Sequence, residues 1–170
     1  HIGGPETTTG IAFNDGNLHH LAASWKSDTG DLKLYKDGEL VWNEIRFAGD
    51  QMVSGGTLVF ANEQDSPGGS FSEIQAYEGT LNDIRLWSTV RTQQEIQDNM
   101  NSELVGNEDG LSGYWPLNSG SGNNIIDFSG NMNHGSLIGD ASWNCEEDAD
   151  LDSICDNVDD CVGIYDECGV

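Results

Sequence analysis

Residues 18–38 read LHHLAASWKSDTGDLKLYKDG, and this stretch decides the fold. Its first part, LHHLAASW at 18–25, places Leu21, Ala23 and Trp25 on one face of an extended strand. Alternation resumes at 31–35 (DLKLY) and again at 39–42 (ELVW), with Lys36-Asp37-Gly38 between them. Asp-Gly joining two alternating runs is a strong hairpin signal, because glycine accepts the positive φ that such a turn requires. The expectation is a run of antiparallel strands.

The rest of the chain extends this pattern. TLVFA at 57–61 reads as a buried strand. LNDIRLW at 81–87 alternates, with Leu81, Asp83, Arg85 and Trp87 on one side and Ile84 and Leu86 on the other. One good helix follows. Thr92 is its N-cap, Glu95 three residues later completes a capping box, and Ile96 and Met100 share a face. From Leu111 the chain returns to short strands between glycine-rich turns: GYWPL, IIDFSG, GSLIG. The 22 glycines against 3 prolines suit short strands and tight turns. The expected fold is all-β with one short helix, and a two-sheet antiparallel sandwich is the natural way to bury it.

Charge narrows the partners. The 170 residues carry 30 acids and 6 bases, a net charge of −24. Residues 144–170 hold 10 acids and no Lys or Arg, yet the remaining 20 acids still outnumber the bases. Such a chain repels nucleic acid and anionic membrane surfaces. It suits neutralisation by calcium or life in salty water. No apolar run approaches the roughly 18 residues of a membrane span. No signal peptide is present, so export would rest on an upstream signal.

The acidic end has its own pattern. In DADLDSICDNVD, residues 148–159, aspartates occupy places 1, 3, 5, 9 and 12: Asp148, Asp150, Asp152, Asp156 and Asp159. Ile154 at place 7 would offer its main-chain carbonyl. Alternate carboxylates turned inward are what a short loop needs to wrap a hard cation. Ser153 stands where glycine usually turns the loop, and Asp159 replaces a bidentate Glu. A solubilising acidic tail is the bland reading; evenly spaced acids with cysteines among them speak against it. All four cysteines lie here, Cys145, Cys155, Cys161 and Cys168, and four allow three pairings. Zinc is a weak reading, with no CxxC pair and no nearby histidine. Disulfides imply an oxidising compartment, hence secretion or display on a cell surface.

Two resemblances add to this. Residues 148–161 resemble a thrombospondin type 3 calcium repeat, and the DxDxDxxCDxxDDC modules that follow domains of bacterial surface proteins. Such a tail, 144–170, would be held by calcium and disulfides rather than by a core. Residues 18–38 resemble the W-x-H-x-A-x-S-W…G-x-L-x-L-Y-x-DG core of laminin-G-like and pentraxin-like domains, which share the concanavalin-like jelly roll. EQDSPGG at 63–69 is similar to the string heading the pentraxin calcium loop, and 79–96 fits the closing strand and helix. The likeness covers about residues 10–143 of a domain set at 1–143. Residue by residue it implies calcium ligands at Glu63, Gln64 through its carbonyl, Asp65 and Gln75. A further acidic ligand falls on Ser72, with Glu73 next door, which leaves a second ion in doubt. The family's earlier strands, and an Asp-Asn ligand pair on them, have no counterpart in this chain. Three outcomes stay open: another chain supplies them, the chain is part of a larger protein, or residues 113–143 fill their place. A sandwich short of strands would expose edges and apolar faces.

Sharper readings of single residues fare unequally. His19 and His20 read better as one packed and one solvent-facing strand residue than as metal or catalytic groups. Trp25, Trp87, Trp115 and Trp143 read as core, whereas Trp42, near the end of a hairpin, is the better sugar-stacking candidate. Asp127 reads as a turn-former. Glu63-x-Asp65 begins a glucanase pattern of carboxylates, but Pro67-Gly68-Gly69 breaks the strand before a second Glu arrives, which speaks against catalysis. The expected function is a non-catalytic calcium-binding recognition module, binding a glycan or other cell-surface ligand and serving adhesion, with no nucleic-acid partner and no membrane insertion. The alternative is a structural unit of an adhesin or filament. There the sandwich packs against other copies or other domains of the same extracellular protein, and the calcium tail acts as a spacer.

Overall fold

The computed structural model describes residues 9–52, 54–144 and Cys155. The chain forms two compact units. The first takes residues 1–78 and 90–103, the second 79–89 and 104–170. The architecture is mostly β, with antiparallel sheets and one short helix. The calcium loop expected at 148–159, from Asp148 to Asp159, and cysteines 145, 161 and 168 lie outside the described residues.

The first unit is built on the decisive stretch. Strands β1 (Leu21–Lys26), β2 (Asp31–Lys36) and β3 (Glu39–Ile45) form one antiparallel sheet in sequence order. Ala23 pairs Leu34, and Leu34 pairs Trp42. A bulge then sets Tyr35 against Leu40, leaving Val41 as the extra residue. Asp37 and Gly38 make the β2–β3 turn with φ of 53° and 79°, the double positive φ of a tight hairpin. Tyr35 is buried.

Helix α1 (Gln93–Asn99) seats on that hairpin. Thr92 and Glu95 form the reciprocal capping box, which satisfies main-chain donors at the helix start. Gln97 Nε2 donates to Gly38 O at 3.1 Å and to Glu39 Oε1 at 2.9 Å, while Gln93 donates to Glu39 Oε2 at 3.0 Å. Gln93 and Gln97 are four apart and share a face, so both clasp one carboxylate. Ile96 is buried.

The strand expected at 57–61 does not form. Among the described residues it has no ladder partner; Thr57 O is taken by the Gln64 side chain, and Ala61 turns the chain at φ 68°. Leu58 and Phe60 are exposed, so the buried reading fails as well.

In the second unit β4 (Ile84–Trp87) pairs β5 (Leu111–Trp115). Leu111, Tyr114 and Trp115 are its buried apolar residues. Short strands β6 (Asn124–Ile125) and β7 (Gly135–Ser136) make a second pair. Between them Asp127, 5% exposed, organises a turn. Its carboxylate accepts the N–H of Tyr114, Ser129 and Asn133 at 2.8–2.9 Å. Burial pushes this carboxyl up, but the three N–H donors outweigh burial and bring it down to about 2. Cys155 is buried, disulfide-bonded, and donates its N–H to Gly120 O.

Candidate metal and ligand site

The segment from Thr57 to Tyr77 closes on itself. Gln64 Nε2 donates to Thr57 O at 2.7 Å, and Gln64 Oε1 accepts the Gly68 N–H at 2.8 Å. Ser66 and Gly69 exchange main-chain bonds, and Gly68, at φ 68°, makes the turn. Pro67 presets φ inside that turn. A second closure joins the ends, where Tyr77 N–H donates to Ala61 O at 2.8 Å.

The four residues implied as ligands all fall inside this closed segment. Glu63 and Asp65 flank Gln64 and are exposed. Among the described residues neither carboxylate has a hydrogen bond or ion pair. The Gln64 side chain is spent on the loop itself, and among the described residues no donor bonds its carbonyl. Gln75 ends the single 3-10 turn Glu73–Gln75 and is exposed. It lies two residues before Tyr77, as Glu63 lies two residues after Ala61, so the Ala61–Tyr77 bond is equally near both in sequence. Among the described residues no group of three or more His, Cys, Asp or Glu side chains is arranged to hold a metal ion. The available donors are therefore two carboxylates, a main-chain carbonyl and an amide oxygen. These are hard oxygen ligands, which fit calcium and not zinc.

Several aromatics surround the loop in sequence. Phe60, Phe71 and Tyr77 are exposed, and Ile74 is 94% exposed. Trp42 is half-buried on β3, an outer strand of the sheet, opposite Leu34. Of the other tryptophans, Trp115 is buried and donates to Asn133 O, Trp25 donates to Arg46 O, and Trp143 to Gly122 O. The two histidines differ from their sequence reading, since neither faces water freely. His19 bridges Asp15 and Asp37, a network the sequence reading missed. Its signal was present, because an in-register β1–β2 pair extended by one residue sets His20 beside Asp37.

The model of the Pentaxin family matches residues 1–108. The rat Sushi, von Willebrand factor type A, EGF and pentraxin domain-containing protein 1 is 32% identical over 99 residues, 57% of this chain and 3% of its own length. Human neuronal pentraxin-2 is 32% identical over 100 residues, 57% of this chain and 23% of its own. Golden hamster (Mesocricetus auratus) C-reactive protein is 30% identical over 95 residues, 56% and 42% respectively. The matched stretch thus spans less than half of each of these relatives. A solved structure of a candidate carbohydrate-binding protein from Bacteroides ovatus superposes with a TM-score of 0.50 at 22% identity, covering 74% of this chain and 38% of that one. That likeness establishes a shared fold.

Proposed function

The chain belongs to the pentaxin family, and from that premise we propose that it is a non-catalytic, calcium-binding recognition module of a secreted or cell-surface protein, with a glycan as ligand. The observation that carries this reading is the closed loop around Gln64. Its side chain fastens Thr57 to Gly68, which leaves the Gln64 carbonyl and the Glu63 and Asp65 carboxylates for an ion. Calcium bound there would order the loop and offer open coordination positions to hydroxyl or acidic groups of a ligand. Exposed Phe60 and Tyr77 beside the loop suit the apolar face of a sugar ring. The carbohydrate-binding assignment of the Bacteroides protein is in keeping with the glycan class.

The tail supports the extracellular setting. Cys155 is disulfide-bonded, and disulfides persist in oxidising compartments. Among the described residues no helix is long and apolar enough to cross a membrane. A glycan array probed in calcium and again in chelator tests the reading. Calcium-dependent binding, lost in the combined Glu63→Gln, Asp65→Asn variant, supports it. Binding indifferent to both chelator and variant contradicts it.

One observation favours the second reading, a structural unit that packs against other copies. Leu21, 55% exposed, and Ile45, 65% exposed, stand on opposite faces of the three-stranded sheet, so each face offers an exposed apolar side chain to a neighbouring copy. Sedimentation over a concentration series separates the two. Self-association disrupted by Ile45→Lys favours assembly, and a monomer at every concentration favours recognition.

A further inference from the structure

His19 stands between two carboxylates from different parts of the first unit. Its Nδ1 lies 2.8 Å from Asp37 Oδ2, and its Nε2 lies 2.9 Å from Asp15 Oδ1. Asp37 belongs to the β2–β3 turn, and Asp15 to the loop that precedes β1. Only an imidazolium carries N–H on both ring nitrogens. A neutral ring donates to one carboxylate and turns a lone pair on the other.

The two arms are held unequally. Asp37 Oδ1 also accepts the His20 N–H at 2.9 Å, and the Asp37 N–H donates to His20 O at 2.8 Å, so the hairpin fixes this residue. Asp15 is held otherwise by its neighbour Asn17, at 3.0 and 3.1 Å, and by Lys36 Nζ at 3.8 Å. Lys36 Nζ also donates to Ala12 O at 3.0 Å and sits 5.4 Å from the centre of the Phe13 ring. Residues 12–17 are thus fastened to the hairpin by two hooks, the Lys36 side chain and the His19 ring, and the ring can lose its proton.

We infer that Asp15, His19 and Asp37 form a proton-dependent clasp. With the ring charged, loop 12–17 is fastened to the β2–β3 hairpin; with the ring neutral, the Asp15 arm lets go. The charged groups facing the ring are Asp15, Asp37 and Lys36, with His20 next in sequence. The Asp37 hydrogen bond first, and the Asp15 bond second, raise the imidazole above its ordinary range, outweighing burial and the Lys36 charge. The sign follows from the direction of that shift. The contribution of the clasp is complete below the ordinary imidazole pKa and is lost as pH rises through the raised value.

Two-dimensional ¹H–¹⁵N spectra of the full chain over a pH series test this. The His19 ring is expected to titrate above the free-imidazole value of about 6.5. The amides of residues 14–18 should step at the same midpoint. His19→Gln should abolish the step, and Asp15→Asn should lower the ring midpoint. A ring midpoint at or below the free value, or an amide step that survives His19→Gln, overturns the clasp. Should His19→Gln fail to fold, Asp15→Asn decides alone, and an unmoved midpoint overturns it.

Discussion

Gln64 reaches from the carbonyl of Thr57 to the amide of Gly68, donating at 2.7 Å to one and accepting at 2.8 Å from the other. One side chain therefore sets the shape of the loop that carries the proposed ion ligands, while its own carbonyl remains for the ion. Gln64→Ala deletes both bonds and keeps every ligand oxygen. Two hydrogen bonds at about 1 kcal/mol each predict a calcium affinity roughly tenfold weaker or more. Calorimetry of this variant checks that, and an unchanged affinity would mean the loop is shaped by something else.

Asp127 anchors the second unit through three main-chain donors. Asp127→Ala leaves those N–H groups without their charged acceptor, and a loss of about 2–4 kcal/mol in a denaturant melt is expected. The pH dependence has a definite sign. The folded carboxyl sits at about 2, below its ordinary 3.8, so its stabilisation is present above the ordinary value and is lost as pH falls toward 2. Wild type and Asp127→Asn should therefore converge in stability in strong acid.

Gly106 shows why some turns accept no side chain. Its φ is 95°, and a Cβ there would lie 2.1 Å from the Phe128 carbonyl oxygen. That neighbour is main chain and cannot rotate away. Gly106→Ala is expected to cost about 3 kcal/mol, through left-handed strain and overpacking together. A thermal melt of the variant reads it.

The capping box offers a smaller and cleaner test. Thr92→Ala removes the acceptor for the Glu95 N–H and frees the Glu95 carboxylate from the Thr92 hydroxyl. About 1 kcal/mol of stability should be lost. Thr92→Ser should recover most of it.

Local chemistry made some of these elements legible. The Asp37-Gly38 turn was readable because only a narrow set of residues accepts two positive φ angles, and helix α1 because Thr92 and Glu95 satisfy each other's main chain. Residues 57–61 misled for the opposite reason. TLVFA has strand chemistry, but a strand needs a partner, and pairing depends on residues far away in sequence. The Thr57 carbonyl instead went to a side chain seven residues on. Asp127 was readable as a turn-former but not as a buried anchor, since that depends on the Tyr114 amide thirteen residues earlier. The Asp15–His19–Asp37 bridge went unread because the two histidines were assigned by strand alternation alone.

Calcium titration by calorimetry, paired with thermal melts in calcium and in chelator, tests the central claim most directly. The wild-type chain is predicted to bind more than one ion and to melt higher in calcium. The combined Glu63→Gln, Asp65→Asn variant should bind fewer ions and lose part of that gain. Calcium that changes neither the heat nor the melting point of the wild-type chain would contradict the account, as would a variant indistinguishable from wild type in both.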